Sequence, residues 1–404
     1  MQNELLADRA TSESGSGSGS VRILRSVEEV QSLREFWCSC SGTLDSDIDV
    51  FLPVRERIPE NLRPHVLVLY RAGMPVALLA GRIVRTRFAF RLGWFDLFRP
   101  LVNVLTIPCG GLRGQASLEN CQELVRAVVK CLKSGEADLA FLARVDADSA
   151  LFRCVKSEPG FLLRDHFTPL RPHRKRELAG SVDKLHAELS HHERKRFRQI
   201  AKKLSGAFPG QVRVERFGSL ADLDRTLEAV EEIAKKTWQR TMGRGFNMDV
   251  SLLETFRRQA ERGWLRIWIL NLSDKPCAFW IGALYRRTFY NEYIGYDPDY
   301  ANYSLGTYLF SRIMEEFCSE GVEAIDFGFS DEEYKERFGN VMWRESDLHV
   351  FAPRLMGLSL SAMKSITVLL HEPARAFLER TNLIQRVKKI WRKMARRRAE
   401  GESS

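Results

Sequence analysis

The sequence predicts an α/β fold of two similar halves, each a mixed sheet covered by helices, followed by a basic C-terminal helix. Segments with helical periodicity alternate with segments of strand periodicity, and the same order of elements occurs twice. A chain of 404 residues is also long for one hydrophobic core, which favours more than one domain. The excess of basic residues lies near the C-terminus, so the rest of the chain is close to neutral.

The N-terminal segment, residues 1–20, is predicted to be a disordered linker. Ser14–Ser20 alternates glycine with serine, which is typical of flexible linkers. The segment has no apolar core of signal-peptide length. No window of the chain reaches the ~18 uncharged apolar residues that are needed to cross a bilayer. We therefore expect a cytoplasmic protein.

The eight cysteines carry no signature of a metal site or of a disulfide framework. None forms a Cys-x-x-Cys pair, and the other spacings match neither class. Several lie in apolar runs, where a thiol packs as a small hydrophobic group. We predict reduced, structural cysteines and no bound metal.

The first predicted half covers residues 21–178. An amphipathic helix at residues 27–38 precedes two strands that flank a turn at Ala72-Gly73, and further strand segments follow. A helix over Ser117–Lys133 and a short buried strand, Asp138–Leu142, complete it. Helix, strands, helix and strand is an α/β order.

The second predicted half covers residues 179–355 and repeats that order after a long polar helix, Ser181–Leu204. Helices, then strands, then one more helix and strand are predicted at Leu220–Trp238, Leu252–Arg262, Trp264–Leu270, Cys277–Tyr285, Thr288–Gly295, Leu305–Glu320 and Ala324–Gly328.

The polar helix allows two interpretations. It is either a solvated bridging helix, or its basic face helps to hold an anionic donor or substrate. His191 and His192 are adjacent, so they cannot share one helix face as two metal ligands would.

The start of the helix at Leu305–Glu320 is a candidate anion site. Its first turn, Ser304–Thr307, offers unpaired backbone N–H groups, and Gly306 has no Cβ to block an approaching ligand. Ser304 could cap the helix, and Thr307 could add a hydroxyl group. The alternative is a helix start that needed a cap and binds nothing.

Acid–base candidates follow on either side of that helix. Asp326 lies in an otherwise apolar strand, where a carboxylate needs a partner or an exposed strand end. A phenol such as Tyr334 could protonate a departing thiolate, and a carboxylate such as Asp326 or Glu292 could take the proton of an amine. Lys335 could pair with a phosphate.

In their order along the chain, these features resemble the CelD/BioF-like branch of the GNAT acyltransferase superfamily, which is related to the Fem peptidyltransferases. The matching motifs are the basic helix at residues 189–204, Gly263-Trp264-Leu265, Tyr290–Tyr293, Tyr296-Asp297-Pro298, Ser304-Leu305-Gly306, Asp326-Phe327-Gly328 and Tyr334-Lys335.

The resemblance implies two tandem GNAT-like halves, of which the second is catalytic. The first half lacks a counterpart of the Ser-Leu-Gly and Tyr-Lys features, so we expect it to be degenerate, with a structural or acceptor-side role. It implies direct transfer of an acyl group from acyl-CoA, such as acetyl-CoA, to a small-molecule or glycan amine, in cell-envelope or exopolysaccharide metabolism. Tyr334, Asp326 and Glu292 would be catalytic. Ser304, Leu305, Gly306, Thr307 and Lys335 would bind the co-substrate.

Two other functions remain open at this point. Leu305 stands where the family prefers proline, and the usual phosphate signature of the superfamily is incomplete at residues 302–308. A Fem-like transferase that uses aminoacyl-tRNA would also suit the basic helix. A catalytically silent assembly factor for polysaccharide export is the third possibility.

The tail, residues 356–404, is predicted to form a basic amphipathic helix. Apolar residues from Leu383 to Met394 recur at three and four positions, and lysines and arginines fill the other face. Such a helix could dock on an anionic membrane surface, pack on a protein or bind nucleic acid. The first of these would place the protein at the inner face of the membrane.

Overall fold

The computed structural model describes residues 19–52, 62–92, 95–237, 240, 245–329 and 332–380. Apart from residues 19 and 20, the predicted N-terminal linker lies outside this range. The same is true of the predicted basic tail after Arg380. Ser20 already belongs to the first strand, so the linker was predicted slightly too long.

The strands are β1 (Ser20–Leu24), β2 (Leu62–Pro64), β3 (Val66–Arg71), β4 (Met74–Leu79), β5 (Arg82–Arg87), β6 (Phe90–Leu92), β7 (Phe95–Phe98), β8 (Leu101–Ile107), β9 (Leu112–Gly114), β10 (Leu139–Asp146), β11 (Arg171–Glu177), β12 (Val212–Phe217), β13 (Leu265–Leu272), β14 (Lys275–Tyr285), β15 (Thr288–Tyr296), β16 (Ala324–Phe329) and β17 (Val341–Phe351).

The helices are α1 (Val27–Gln31), α2 (Arg34–Ser39), α3 (Ile48–Phe51), α4 (Leu118–Ser134), α5 (Ala150–Ser157), α6 (Val182–Glu188), α7 (His191–Ala207), α8 (Leu223–Ala234), α9 (Val250–Glu261), α10 (Leu305–Glu320), α11 (Glu333–Phe338) and α12 (Leu355–Arg380). None of these helices combines the length and the apolar character that crossing a membrane requires.

The described chain packs as two compact units. The first contains the residues up to Leu170 and those from Glu345 onward, and the second contains Arg171–Arg344. The predicted division between residues 178 and 179 therefore falls too late, because β11 belongs to the second unit. Residues 345–355, which were predicted in the second half, belong to the first unit.

The first unit contains two larger sheets and the two-stranded sheet β6–β7. Strands β1, β3, β4 and β9 form an antiparallel sheet in that order. In the second of the larger sheets, the strand order is the C-terminal part of β17, then β10, β8, β5 and β2. The pair β8–β10 is parallel and α4 connects its strands. Leu124 and Val128 of α4 pack in the same core as Leu67 and Leu105.

The second unit is built on one mixed sheet with the strand order β12-β13-β14-β15-β16-β11. The pair β15–β16 is parallel and α10 connects its strands, whereas the other neighbours are antiparallel. Helices α8 and α9 cover one face, where Phe256 packs with Ile267. Helices α6, α7, α10 and α11 cover the other, where Phe310 packs with Trp268 and Trp280. The predicted α/β fold, with mixed sheets in two units, is confirmed.

The predicted long polar helix is two helices. The Ser190 hydroxyl accepts from the backbone of Glu193, and the Glu193 carboxylate accepts from the backbone of Ser190. This capping box begins α7 at His191 and separates it from α6. The helix predicted at residues 27–38 is also two helices, α1 and α2, although α2 begins without a side-chain cap.

Candidate functional site

In the second unit, the parallel strands β15 and β16 pair briefly and then diverge. Residues 288–290 of β15 face residues 324–326 of β16. Beyond these residues, the described hydrogen-bonded ladder of β15 is with β14. A gap therefore opens between residues 291–296 and the end of β16. Since α10 follows β15, its first turn lies at the same edge of the sheet, where open α/β sheets commonly bind ligands.

Strand β15 carries a β-bulge at Glu292, beside this gap. Ile281 of β14 faces Tyr293, but its neighbour Gly282 faces Asn291, so Glu292 is the extra residue. A Cβ on Gly282 would collide with the backbone of β15, so only glycine fits there. Bulges re-aim side chains and interrupt a hydrogen-bond ladder. The bulge thus directs backbone and side chains of β15 toward the gap.

The first turn of α10 is open toward solvent. Ser304 has a left-handed backbone (φ 53°), and its carbonyl oxygen accepts from the amides of Thr307 at 3.0 Å and Tyr308 at 3.1 Å. Its side chain makes no capping bond, so the predicted cap is wrong. The amides of Leu305 and Gly306 have no acceptor within the helix. A Cβ added to Gly306 would meet nothing within 4 Å. This turn can therefore accept an anion through its backbone.

Leu305 and Thr307, the other two residues of this turn that were predicted to bind the co-substrate, differ in what they can offer a ligand. Leu305 is 1% exposed and its side chain packs in the core, so only its backbone can reach a ligand. Thr307 is half-buried at the same turn.

A buried carboxylate holds the loop between β15 and α10. Asp297 is 1% exposed, and its carboxylate accepts from Lys236 Nζ at 2.6 Å and from the Asp299 amide at 3.1 Å. Burial alone would raise the pKa of Asp297, but the hydrogen bonds and charge of the lysine outweigh it and lower the pKa. The same contact raises the pKa of Lys236. Asp297 therefore positions the loop as a charged group.

Glu292, which was predicted to be catalytic, lies on the bulge. Its side chain contacts helix α9. Its Oε1 accepts from Gln259 Nε2 of α9 at 2.7 Å. This bond fixes the orientation of the Glu292 carboxylate toward α9.

Asp326, the second predicted carboxylate, pairs with a histidine that sequence reasoning missed. Its Oδ1 lies 2.7 Å from His173 Nε2 and accepts from the Gly328 amide at 2.7 Å. The His173 ring is buried and stacks on Trp343, with ring centroids 4.2 Å apart. His173 lies on β11, a strand of mostly charged residues, so no periodicity indicated it.

Tyr334, the predicted acid, lies on α11 next to β15. Its phenol oxygen accepts from Asn291 Nδ2 at 3.3 Å, and its ring packs edge-on against Phe327 at the end of β16. Burial, and then the nearby Glu332 carboxylate, raises the pKa of Tyr334 well above its ordinary value. The phenol is therefore protonated at neutral pH, the state that a general acid requires.

Lys335, predicted to bind phosphate, already has a carboxylate partner. Its side chain is 8% exposed, and its Nζ lies 3.2 Å from the Glu332 carboxylate. The structure thus accounts for Lys335 as half of an ion pair on α11.

The basic face of α7 lies along α10 and lines a pocket of about 500 Å³. Lys203 Nζ donates to the carbonyl oxygen of Asn302, just before α10, at 2.7 Å. Arg194 and Arg198 line the pocket from α7, and Tyr308 and Arg312 line it from α10. Of the two interpretations of the polar helix, this placement favours a binding face.

The first unit has a smaller cleft where its own parallel pair ends. The cleft has a volume of about 230 Å³ and is lined by residues 107–112, which follow β8, and by residues 143–146 of β10. The segment after β8 reads Cys109-Gly110-Gly111 and carries no counterpart of Ser304-Leu305-Gly306.

All eight cysteines are free, and seven of them are buried, as predicted. His65, Cys131 and Glu136 in the first unit bring potential metal ligands within 4.8 Å of one another. Burial lowers the pKa of His65 to about 4 and raises that of Cys131 to about 11. Arg25 donates to both oxygens of Glu136. The cluster is therefore explained by an ion pair beside a neutral His–Cys contact.

The second unit contains a segment that is similar to a known acyltransferase domain. Residues 191–336 match the sequence model of the family described as "Acetyltransferase (GNAT) domain". The match runs from the first residue of α7 into α11, and so contains the bulge, the gap, the first turn of α10 and Tyr334.

Among solved structures, FemX shares the fold of this chain. The crystal structure of FemX superposes with a TM-score of 0.55 and 12% identity, covering 80% of this chain and 95% of that one. A tandem GNAT protein from the clavulanic acid biosynthesis pathway gives a TM-score of 0.46 and 9% identity, covering 83% and 99%. L-PGS from Bacillus licheniformis gives 0.44 and 12%, covering 85% and 96%. No curated protein sequence matches the chain.

Proposed function

We propose that the protein is an N-acyltransferase that moves an acyl group from acyl-CoA to an amine. The observation that carries the proposal is the divergence of β15 and β16 beside the open first turn of α10. A thioester in the gap would lie between Glu292 of the bulge and the phenol of Tyr334, and its pyrophosphate would lie at the amides of Leu305 and Gly306.

The chemistry is a direct displacement. The amine attacks the thioester carbonyl, a C–N bond forms, and the C–S bond breaks. Tyr334 gives its proton to the departing thiolate. Glu292, or Asp326 with its His173 partner, takes the proton that the amine loses. No covalent enzyme intermediate is needed.

The acceptor is proposed to be a small-molecule or glycan amine of cell-envelope or exopolysaccharide metabolism, in line with the CelD/BioF-like motifs. We propose that the protein is cytoplasmic and that its basic tail can contact the inner face of the membrane. The exposed apolar residues of α12 support that contact: Leu355, Ile366 and Leu369 are 88%, 54% and 59% exposed.

A Fem-like transferase that uses aminoacyl-tRNA is the second candidate. The likeness in fold to FemX and the exposed arginines of α7 favour it. A silent assembly factor for polysaccharide export is the third candidate, and it would show no transfer from either donor.

A transfer assay separates the three functions. The full chain is incubated with acetyl-CoA and a panel of amino sugars and amino acids, and free thiol and acetylated product are measured. We expect both products to form in equal amounts. Transfer from aminoacyl-tRNA in place of acetyl-CoA would support the second candidate. Absence of transfer from both donors across the panel would favour the third.

A further inference from the structure

We infer that the pocket between α7 and α10 binds the 3′-phosphoadenosine end of the acyl-CoA donor, an inference that rests on the proposed function. The pocket lies wholly within the second unit. It has a volume of about 500 Å³ and is bounded by the basic face of α7 and by one face of α10.

The pocket continues from the anion site along the same helix. Tyr308, Ser311 and Arg312 follow Gly306 on α10, and Ser311 and Arg312 lie about 8–9 Å further along its axis. A nucleotide attached to a pyrophosphate at Gly306 would reach them without leaving the helix surface. The contact of Lys203 with Asn302 holds the other end of α7 beside the same first turn.

The charges in the pocket are not balanced. Glu315 is the acid of the lining, and it already pairs with Arg312 at 3.0 Å and with His186 at 3.2 Å. Arg194 donates to the carbonyl oxygen of His186 at 3.0 Å, and Arg198 donates to that of Arg194 at 3.3 Å. Within the described residues, neither arginine forms an ion pair with an acid. Two guanidinium groups are therefore available to an anion such as a phosphate monoester.

The rest of the lining suits a purine. Phe197 and Tyr308 line the pocket from the two helices, with the Arg312 guanidinium over the Tyr308 ring at 5.3 Å, and Leu189 and Ala201 add apolar surface. Bases stack on aromatic side chains, and arginine binds phosphate in a bidentate manner. A flat base next to a phosphate monoester is the chemistry at the 3′-phosphoadenosine end of CoA. The 3′ end of a tRNA carries related chemistry, so the test includes it.

The test compares acetyl-CoA with 3′-dephospho-acetyl-CoA, which lacks only this phosphate. Binding of both to the full chain is measured by isothermal titration calorimetry. We expect the phosphate to tighten binding roughly tenfold, as one charge-assisted hydrogen bond would. In Arg198→Gln the ratio of the two dissociation constants should approach one, while the affinity for the dephospho compound stays unchanged.

Arg213→Gln is the matched control. Arg213 is an exposed arginine on β12 that pairs with Asp274, away from the pocket lining. Its removal should leave the ratio as in the wild type.

The outcomes distinguish the two proposals. Equal binding of both compounds to the wild type would overturn the pocket assignment and leave the acyltransferase function standing. Absence of binding of either compound would overturn both. Binding of tRNA that is lost in Arg198→Gln, without discrimination between the CoA compounds, would assign the pocket to tRNA instead.

Discussion

At the scale of single residues, Tyr334 is the side chain with the most specific chemical role. Tyr334→Phe removes the proton donor and leaves the ring in place against Phe327. We predict a fall in kcat of roughly 100-fold or more with little change in KM, because general acid catalysis acts in the transition state. Steady-state kinetics with acetyl-CoA measures this.

Tyr70→Phe is the control for that substitution. Tyr70 is a partly exposed phenol on β3 in the first unit, so it should be dispensable for transfer. An equal loss in both variants, or an unchanged kcat in Tyr334→Phe, would contradict the role of Tyr334.

Asp297 is the residue on which the loop before α10 depends most. In Asp297→Asn the amide cannot replace the charged bond to Lys236, and we predict that the free energy of unfolding falls by about 2 kcal/mol. Because the pKa of Asp297 is lowered, its contribution is complete above the ordinary value of 3.8 and is lost only as the pH falls through the lowered pKa. Urea unfolding at neutral pH therefore measures the full effect.

Asp299→Asn serves as the comparison, since Asp299 is exposed and two residues away. A loss of stability as large as that in Asp297→Asn would show that the buried bond is not the cause.

At the scale of elements, the periodicity of the sequence predicted α4, α10 and the strands β13–β16 closely, because their apolar residues face one core. It did not predict β11, whose residues are mostly charged, or β17, whose apolar residues flank a polar centre at residues 344–347. The site was predicted in the same uneven way. Gly306 and Tyr334 followed from local patterns, whereas His173 comes next to Asp326 only through pairing of strands distant in sequence.

Helix α12 is anchored to the first unit by a buried cluster of charges. His349 Nδ1 lies 3.0 Å from the Asp165 carboxylate, and Lys364 of α12 contacts both groups. Burial lowers the pKa of His349. Burial would raise the pKa of Asp165, but its bonds to His349 and Lys364 outweigh this and lower it.

This cluster predicts loss of stability in mild acid. As the pH falls below 6.5, the ordinary value for histidine, the unfolded chain takes up a proton that folded His349 resists. The free energy of unfolding should then fall by at most about 1.4 kcal/mol per pH unit for this one group. Asp165 does not contribute in this range, because its pKa is lowered from 3.8.

Urea unfolding above and below pH 6.5 measures the effect. His349→Gln should reduce the slope and leave the part that buried His65 contributes, whereas His192→Gln, at an exposed position on α7, should leave the slope unchanged. A slope that is the same in the wild type and in His349→Gln would rule out this explanation.

At the scale of the whole molecule, the sequence predicted the doubled architecture but misplaced its boundaries. Residues 345–351 of β17 pair with β10, so the chain returns to the first unit after completing the second. A return of this kind leaves no local signal, since it depends on which strand edge is free. We propose that the first unit serves as a scaffold or receives the acceptor, because it lacks the helix start of the second.

Contact of the basic tail with an anionic membrane surface remains a prediction. From Arg375 to Arg398 the sequence has ten basic residues and one acid. Each basic residue near an anionic leaflet contributes roughly 1 kcal/mol. Deletion after Ala374 should therefore abolish sedimentation with anionic liposomes, and neutral liposomes should bind neither form. Equal sedimentation of the truncated and full-length proteins would exclude this membrane contact.

The central claim, that acyl-CoA binds at the first turn of α10, is tested most directly by calorimetry with acetyl-CoA. Gly306→Glu places a carboxylate in open space at that turn, so the variant should fold. Gly160→Glu is the control, at an equally open glycine in the first unit. We predict one site per chain in the wild type and in Gly160→Glu, and no binding in Gly306→Glu. Undiminished binding in Gly306→Glu, or no binding to the wild type at millimolar acetyl-CoA, would contradict the claim.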